Sequence, residues 1–174
     1  MTGMQQVLLV ALRTLIGWHF LYEAYFKLAT PGWGPDGQPL SIWSSAGYLR
    51  GATGPFASVF HAIAASSWLG TIDIAVAGSL AVVGLGLMLG LFTQLACTGG
   101  IVLLTLFYVA SIPLDGLPGP RVEGAYLIVN KNLIELAALA VILAFKTGQM
   151  AGLDRLRTPS RSHQSAIRST GAAA

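Results

Sequence analysis

Seven polar or ionisable side chains lie within strongly apolar parts of the chain. Arg13, His19, Glu23 and Lys27 belong to a first apolar run, and Lys131, Asn132 and Glu135 belong to the last one. A charged group at the centre of a bilayer costs at least about 2.5 kcal/mol unless it is paired or hydrated. Histidine and glutamate can transfer protons, and lysine and arginine attract anions. These residues therefore indicate a polar site inside a hydrophobic protein.

Helical geometry gathers these side chains on two faces. Taking about 100° per residue from Arg13, the three later residues of the first run lie at about 240°, 280° and 320°, so the four share an arc of about 120°. On the last run, Lys131, Asn132 and Glu135 share an arc of about 100°. Each helix is therefore predicted to turn one polar face towards the protein interior.

The depths of the two polar faces also match. His19 lies nine residues before Leu28, and Glu135 lies ten residues after Ala125. In antiparallel helices both side chains would lie roughly 14 Å below the same boundary. A further apolar run contains Asp73, whose side chain would lie at nearly the same depth. The convergence predicts an outward-facing polar pocket about half a membrane deep.

Structural roles account for part of the same pattern. Glu23 and Lys27 are spaced i, i+4 and can neutralise each other. Arg13 can extend to the nearer membrane surface, and Asn132 and Glu135 can join helices through hydrogen bonds. Because polar side chains from three helices converge at one depth, a functional cavity is favoured over structural pairing alone.

Composition places this pocket in a membrane. Of the 174 residues, 54% are hydrophobic and 10% are charged, whereas soluble domains average roughly 25% charged residues. The 41 residues from Ile74 to Leu114 include no Asp, Glu, Lys or Arg, and one span needs about 20 residues. The apolar runs predict an all-α, integral membrane four-helix bundle over 1–146, with spans at about 6–28, 69–91, 95–112 and 125–145.

Charge predicts the orientation of this bundle. The tail from Lys146 onward has a net charge of +4, more than the +3 of the whole chain. Basic residues beside a span favour the cytoplasmic side, so this excess does not indicate nucleic-acid binding. Four spans then place both termini in the cytoplasm and the connection 30–68 outside. Residues 147–174 have no apolar period and are predicted to form a disordered basic tail.

The long outer connection is predicted to be ordered in part. Phe56, Phe60 and Ile63 recur at helical spacing after Pro55, and Trp and Tyr residues lie nearby. This pattern is typical of an amphipathic segment that lies at the interface or folds back over the bundle.

Several kinds of chemistry are disfavoured. Cys97 is the single cysteine, which excludes an internal disulfide, a cysteine-ligated zinc site and an iron–sulfur cluster held by this chain alone. His19 and His61 are not at matched depths on rigid elements, so they do not favour haem ligation. The sequence has no metal or flavin motif and no nucleotide-binding glycine loop.

Four motifs resemble those of the DoxX family of bacterial membrane proteins. They are Arg13-x3-Gly17-x2-Phe20 with Lys27-Leu28, the turn Leu89-Gly-Leu-Phe-Thr-Gln-Leu-Ala96, the triplet Lys131-Asn132-Leu133, and the loop segment 45–57. The loop segment resembles the DoxD-like branch, which is similar to the membrane subunit of thiosulfate:quinone oxidoreductase. The resemblance covers about 13–145 and implies a multi-pass protein of the bacterial inner membrane.

The resemblance also implies roles for the polar residues. His19, Glu23 and Glu135 would be catalytic and would handle quinone protons, with quinone as a substrate. The substrate-binding groups would be Lys27, Arg50, Asp73, Arg121, Lys131 and Asn132, of which Lys27, Arg50 and Arg121 would attract the thiosulfate dianion. The expected partners are membrane lipid and a second oxidoreductase subunit or further copies of this chain.

Two other classes of function stay open. One is a non-catalytic assembly or anchoring component whose polar residues specify helix packing. The other is a carrier that binds a small solute or a lipid without electron transfer.

Overall fold

The computed structural model describes residues 1–29, 43–53, 55–112, 125–126 and 128–157. This part of the chain is mostly helical. The long helices are α1 (Gly3–Ala29), α4 (Leu69–Leu89), α5 (Thr93–Ala110) and α6 (Lys131–Ala144). The short elements are α2 (Ala46–Arg50), α3 (Ala57–Ala64), a 3₁₀ turn (Thr147–Gln149), α7 (Asp154–Arg157), and the strands β1 (Ala125–Tyr126) and β2 (Val129–Asn130).

Three helices, α1, α4 and α5, are long and apolar enough to cross a membrane. They overlap the predicted spans at 6–28, 69–91 and 95–112. The break between α4 and α5 is a tight turn in which Gly90 adopts a left-handed conformation with φ of 63°. Glycine suits this position because it has no Cβ. These helices indicate a membrane-associated protein.

Close packing joins the long helices in the order α1, α4, α5, α6, and α6 also contacts α1. The most buried large side chains include Phe20, Leu87, Leu139 and Ile142. A Cβ added to Gly84 would lie 2.7 Å from the backbone nitrogen of Leu21. Glycine at this position therefore permits the close approach of α4 to α1.

The fourth predicted span, 125–145, needs correction. Its helix begins at Lys131, because the side chain of Asn130 accepts a hydrogen bond from the backbone N–H of Leu133 and caps the helix. Before this cap, β1 and β2 form a short antiparallel pair. The Tyr108 hydroxyl donates to the carbonyl of Ile128 and attaches this hairpin to α5.

The described part of the long connection folds back over the helices. The amphipathic segment predicted from Pro55 onward contains α3. Tyr48 of α2 donates a hydrogen bond to the carbonyl of Phe107 at 2.7 Å, and the Thr53 hydroxyl donates to the carbonyl of Ile112 at 2.8 Å. Both contacts fasten the connection to the end of α5. We refer to this end of the molecule as the mouth end.

The prediction that the tail is disordered from residue 147 is wrong over 147–157. Arg13 is buried, and its guanidinium donates to the carbonyls of Thr147 at 3.0 Å and Ala151 at 2.5 Å. The Asp154 carboxylate accepts hydrogen bonds from the backbone N–H groups of Phe92 and Thr93. These contacts hold the segment against the end opposite the mouth, which we call the tail end. Residues 158–174 lie outside the described part of the chain.

Candidate functional site

A cavity of about 410 Å³ lies at the mouth end, among α1, α4, α5 and α6 and beneath α2 and α3. Most of its wall is apolar and is formed by residues such as Phe20, Val76, Leu80, Leu104 and Phe107. Its polar residues include His19, Glu23, Lys27, Lys131, Asn132 and Glu135. The volume lies within the range of roughly 300–1,000 Å³ that is common for small-molecule sites.

A short side-chain contact connects the two polar helix faces across the cavity. His19 Nε2 on α1 lies 3.4 Å from Glu135 Oε1 on α6. Both side chains are partly exposed, by 37% and 20% respectively, so a ligand in the cavity can reach them. This pair places an imidazole, a common general acid or base in enzymes, beside a carboxylate.

A second set of charges lies closer to the mouth. Glu23 forms an i, i+4 ion pair with Lys27 on the same helix, and its other carboxylate oxygen lies 3.8 Å from Lys131 Nζ on α6. The ammonium of Lys27 also lies 5.1 Å from the centre of the Trp43 ring, within cation–π distance. Two cations therefore surround a single carboxylate here, which favours an electron-rich ligand group.

The second oxygen of Glu135 is the least satisfied polar atom at this site. Glu135 Oε2 is buried and has no hydrogen-bond partner within the described segments. A buried acceptor without a partner typically costs about 1–3 kcal/mol. A proton on this oxygen, or a donor group from a bound ligand, would remove that cost.

The structure thus brings together six of the nine candidate residues, and Glu23 and Glu135 share one cavity as predicted. Asp73 does not line it, because its carboxylate accepts hydrogen bonds from the backbone N–H and the hydroxyl of Ser45. Arg50 is exposed on α2 and is not part of the lining. Arg121 lies outside the described residues.

Other groups at the cavity were not among the candidate residues. Ser45 and Tyr48 line it from the connection. Partial burial raises the pKa of the Tyr48 phenol above its ordinary value, and its hydroxyl donates a hydrogen bond to the carbonyl of Phe107. The cluster of aromatic residues in 33–68 is the sequence signal for a cover, but it does not indicate which of them reach the cavity.

Two further residues from the sequence analysis lie outside this lining. Arg13 shares the polar face of α1 but is used at the tail end, where it holds the carbonyls of Thr147 and Ala151. His61 is exposed, and its Nε2 lies 3.2 Å from the carbonyl of Ala52. The polar face of α1 therefore serves two sites at opposite ends of the helix.

Comparison with known proteins adds no functional assignment. No protein-family model, no curated protein and no solved structure matches the chain. The geometry of the cavity must therefore carry the functional inference.

Proposed function

We propose that the protein is a DoxX-type, four-helix inner-membrane protein that acts as the quinone-binding subunit of an oxidoreductase similar to thiosulfate:quinone oxidoreductase. Both termini lie in the cytoplasm, and the connection 30–68 lies outside. The observation that carries the proposal is that Glu135 Oε2, beside His19, has no hydrogen-bond partner among the described residues and lies at the boundary between the polar and apolar walls of one cavity.

Helix α6 is the fourth span in this proposal. Its 14 residues rise only about 21 Å, whereas the hydrocarbon layer is roughly 30 Å thick. Non-helical backbone at membrane depth is tolerated where protein covers it or where it lines a wet cavity. Over the remaining length, the pairing of β1 with β2, the Asn130 cap and the hydrogen bond from Tyr108 to Ile128 satisfy part of the backbone polar groups.

The shape and polarity of the cavity suit a quinone. An apolar wall accommodates the ring and the first part of an isoprenoid tail, and the polar groups meet the carbonyl oxygens. Reduction of a quinone to a quinol consumes two electrons and two protons. Two thiosulfate dianions supply two electrons when they join as tetrathionate.

The residues of this chain handle the protons in this reaction. His19 and Glu135 lie 3.4 Å apart, so the pair can pass one proton at a time to the quinone and be reprotonated from the mouth between the two transfers. Lys27 and Lys131 stabilise the negative charge that develops on a quinone oxygen as electrons arrive. A partner subunit holds the electron donor site.

The test is direct binding of a short-chain quinone to the purified protein in detergent micelles. Loss of a hydrogen bond at the head group costs about 1–2 kcal/mol, so His19→Leu is expected to weaken binding roughly tenfold. His61→Leu is the matched control, because it makes the same change outside the cavity lining. Equal affinities for wild type and His19→Leu would reject the proposal.

A scaffolding role is the second candidate, and the internal pairing of Glu23 with Lys27 and Lys131 favours it. These side chains are partly exposed, so removing one partner should cost less than the roughly 3–5 kcal/mol of a fully buried pair. Scaffolding predicts that Lys27→Met lowers membrane abundance and that Glu23→Gln added to it restores abundance. A quinone site predicts that Lys27→Met alone accumulates normally but binds quinone weakly.

A further inference from the structure

A second pocket, of about 390 Å³, lies at the tail end. It is formed between the α4–α5 turn and the folded segment 146–154. Its walls include Lys146, the side-chain amides Gln94 and Gln149, and the apolar residues Phe92 and Leu95. Cationic, amide and apolar groups therefore meet in one concave site.

The carboxylate that lines this pocket is engaged within the fold, and the ammonium that lines it is exposed. Asp154 also lines it, but its carboxylate accepts hydrogen bonds from the N–H groups of Phe92 at 2.7 Å and Thr93 at 2.8 Å. Arg13 interacts electrostatically with the same carboxylate. Both oxygens of the Asp154 carboxylate are thus occupied by backbone N–H groups, whereas the Lys146 side chain is exposed.

The surroundings of the pocket are apolar as well as basic. Leu95 is 72% exposed and Leu156 is 82% exposed, and Arg155 beside Leu156 is also exposed. Exposed leucines next to basic residues, at the end of helices that can span a membrane, are typical of a surface in contact with anionic lipid. Water alone would leave this apolar area unfavourably hydrated.

We propose that this pocket binds the head group of an anionic phospholipid. The ammonium of Lys146 and the amides of Gln94 and Gln149 donate hydrogen bonds to the phosphodiester and glycerol oxygens. The acyl chains continue along Leu95 and the lipid-facing side of α5. The site is separate from the quinone cavity, and it places segment 146–157 on the membrane surface.

Lipid retention by the purified protein tests the proposal. Delipidated protein is mixed with phosphatidylglycerol or phosphatidylcholine, and bound lipid is counted by native mass spectrometry. We expect preferential retention of phosphatidylglycerol and a roughly fivefold weakening in Lys146→Gln, since one basic residue contributes about that factor at an anionic surface. Lys146→Arg should retain the binding.

The matched control is Arg50→Gln, which removes the same charge from an exposed position at the mouth end. Equal retention of the two lipids, or equal weakening by Arg50→Gln and Lys146→Gln, would overturn the proposal. Displacement of phosphatidylglycerol by an equimolar amount of glycerol phosphate would also overturn it, because the pocket would then bind a phosphate group without the apolar contacts. A thermal unfolding curve of Lys146→Gln that matches wild type shows that the variant is folded.

Discussion

Arg13 provides a sharp test of how the tail end is held together. The substitution Arg13→Met leaves an unbranched apolar side chain in place of the stem of the arginine but removes two charged hydrogen bonds, to the carbonyls of Thr147 and Ala151. Hydrogen bonds to charged groups contribute about 1.5–3 kcal/mol each. The lower value for both gives about 3 kcal/mol, which is roughly a hundredfold change in the docking equilibrium of segment 147–157.

The assay is limited proteolysis with trypsin, with cleavage after Arg155 followed by mass spectrometry. When the segment opens and closes faster than it is cut, the cleavage rate follows the open population. We therefore expect Arg13→Met to be cleaved there up to a hundred times faster than wild type. Arg50→Met makes the same chemical change at the mouth end and should leave the rate unchanged. An unchanged rate in Arg13→Met would refute the structural role assigned to this arginine.

Two further predictions concern packing and topology. Gly84→Ala should destabilise the protein by about 1–3 kcal/mol, because its methyl group collides with the backbone of α1; thermal unfolding should show a lower midpoint than for Gly78→Ala, whose added Cβ meets no atom within 4 Å. Cysteines placed at the exposed residues Ser44 and Gln149 should be labelled from opposite sides of the membrane, and labelling of both from outside intact cells would contradict the orientation.

The cavity was largely predictable because helical periodicity is a local property. Spacing alone placed His19 and Glu23 on one face of α1, and the cost of charge in hydrocarbon required that face to point inward. Matching depth then brought Glu135 to the same level. Their common cavity follows from these two rules without knowledge of loop structure.

The errors came from contacts between residues far apart in the sequence. Ser45 binds the carboxylate of Asp73, and the spacing of apolar residues contains no information on that contact. The tail has no apolar period, yet Arg13 and the turn before α5 supply partners for its backbone and for Asp154. Helix α6 begins at Lys131 rather than at the predicted residue 125. The sequence contains a local signal for this start, because Asn130 is a favoured capping residue.

The central claim is that a quinone binds in the mouth-end cavity between α1 and α6. Its most direct test is labelling of the purified protein with a photoreactive quinone analogue, followed by mass spectrometric mapping of the modified peptides. We expect the label to be concentrated in residues 19–27 and 131–135, and we expect excess unmodified quinone to prevent the labelling. Label spread evenly over exposed α1 residues such as Leu8 and Leu15, with no protection by quinone, would contradict it.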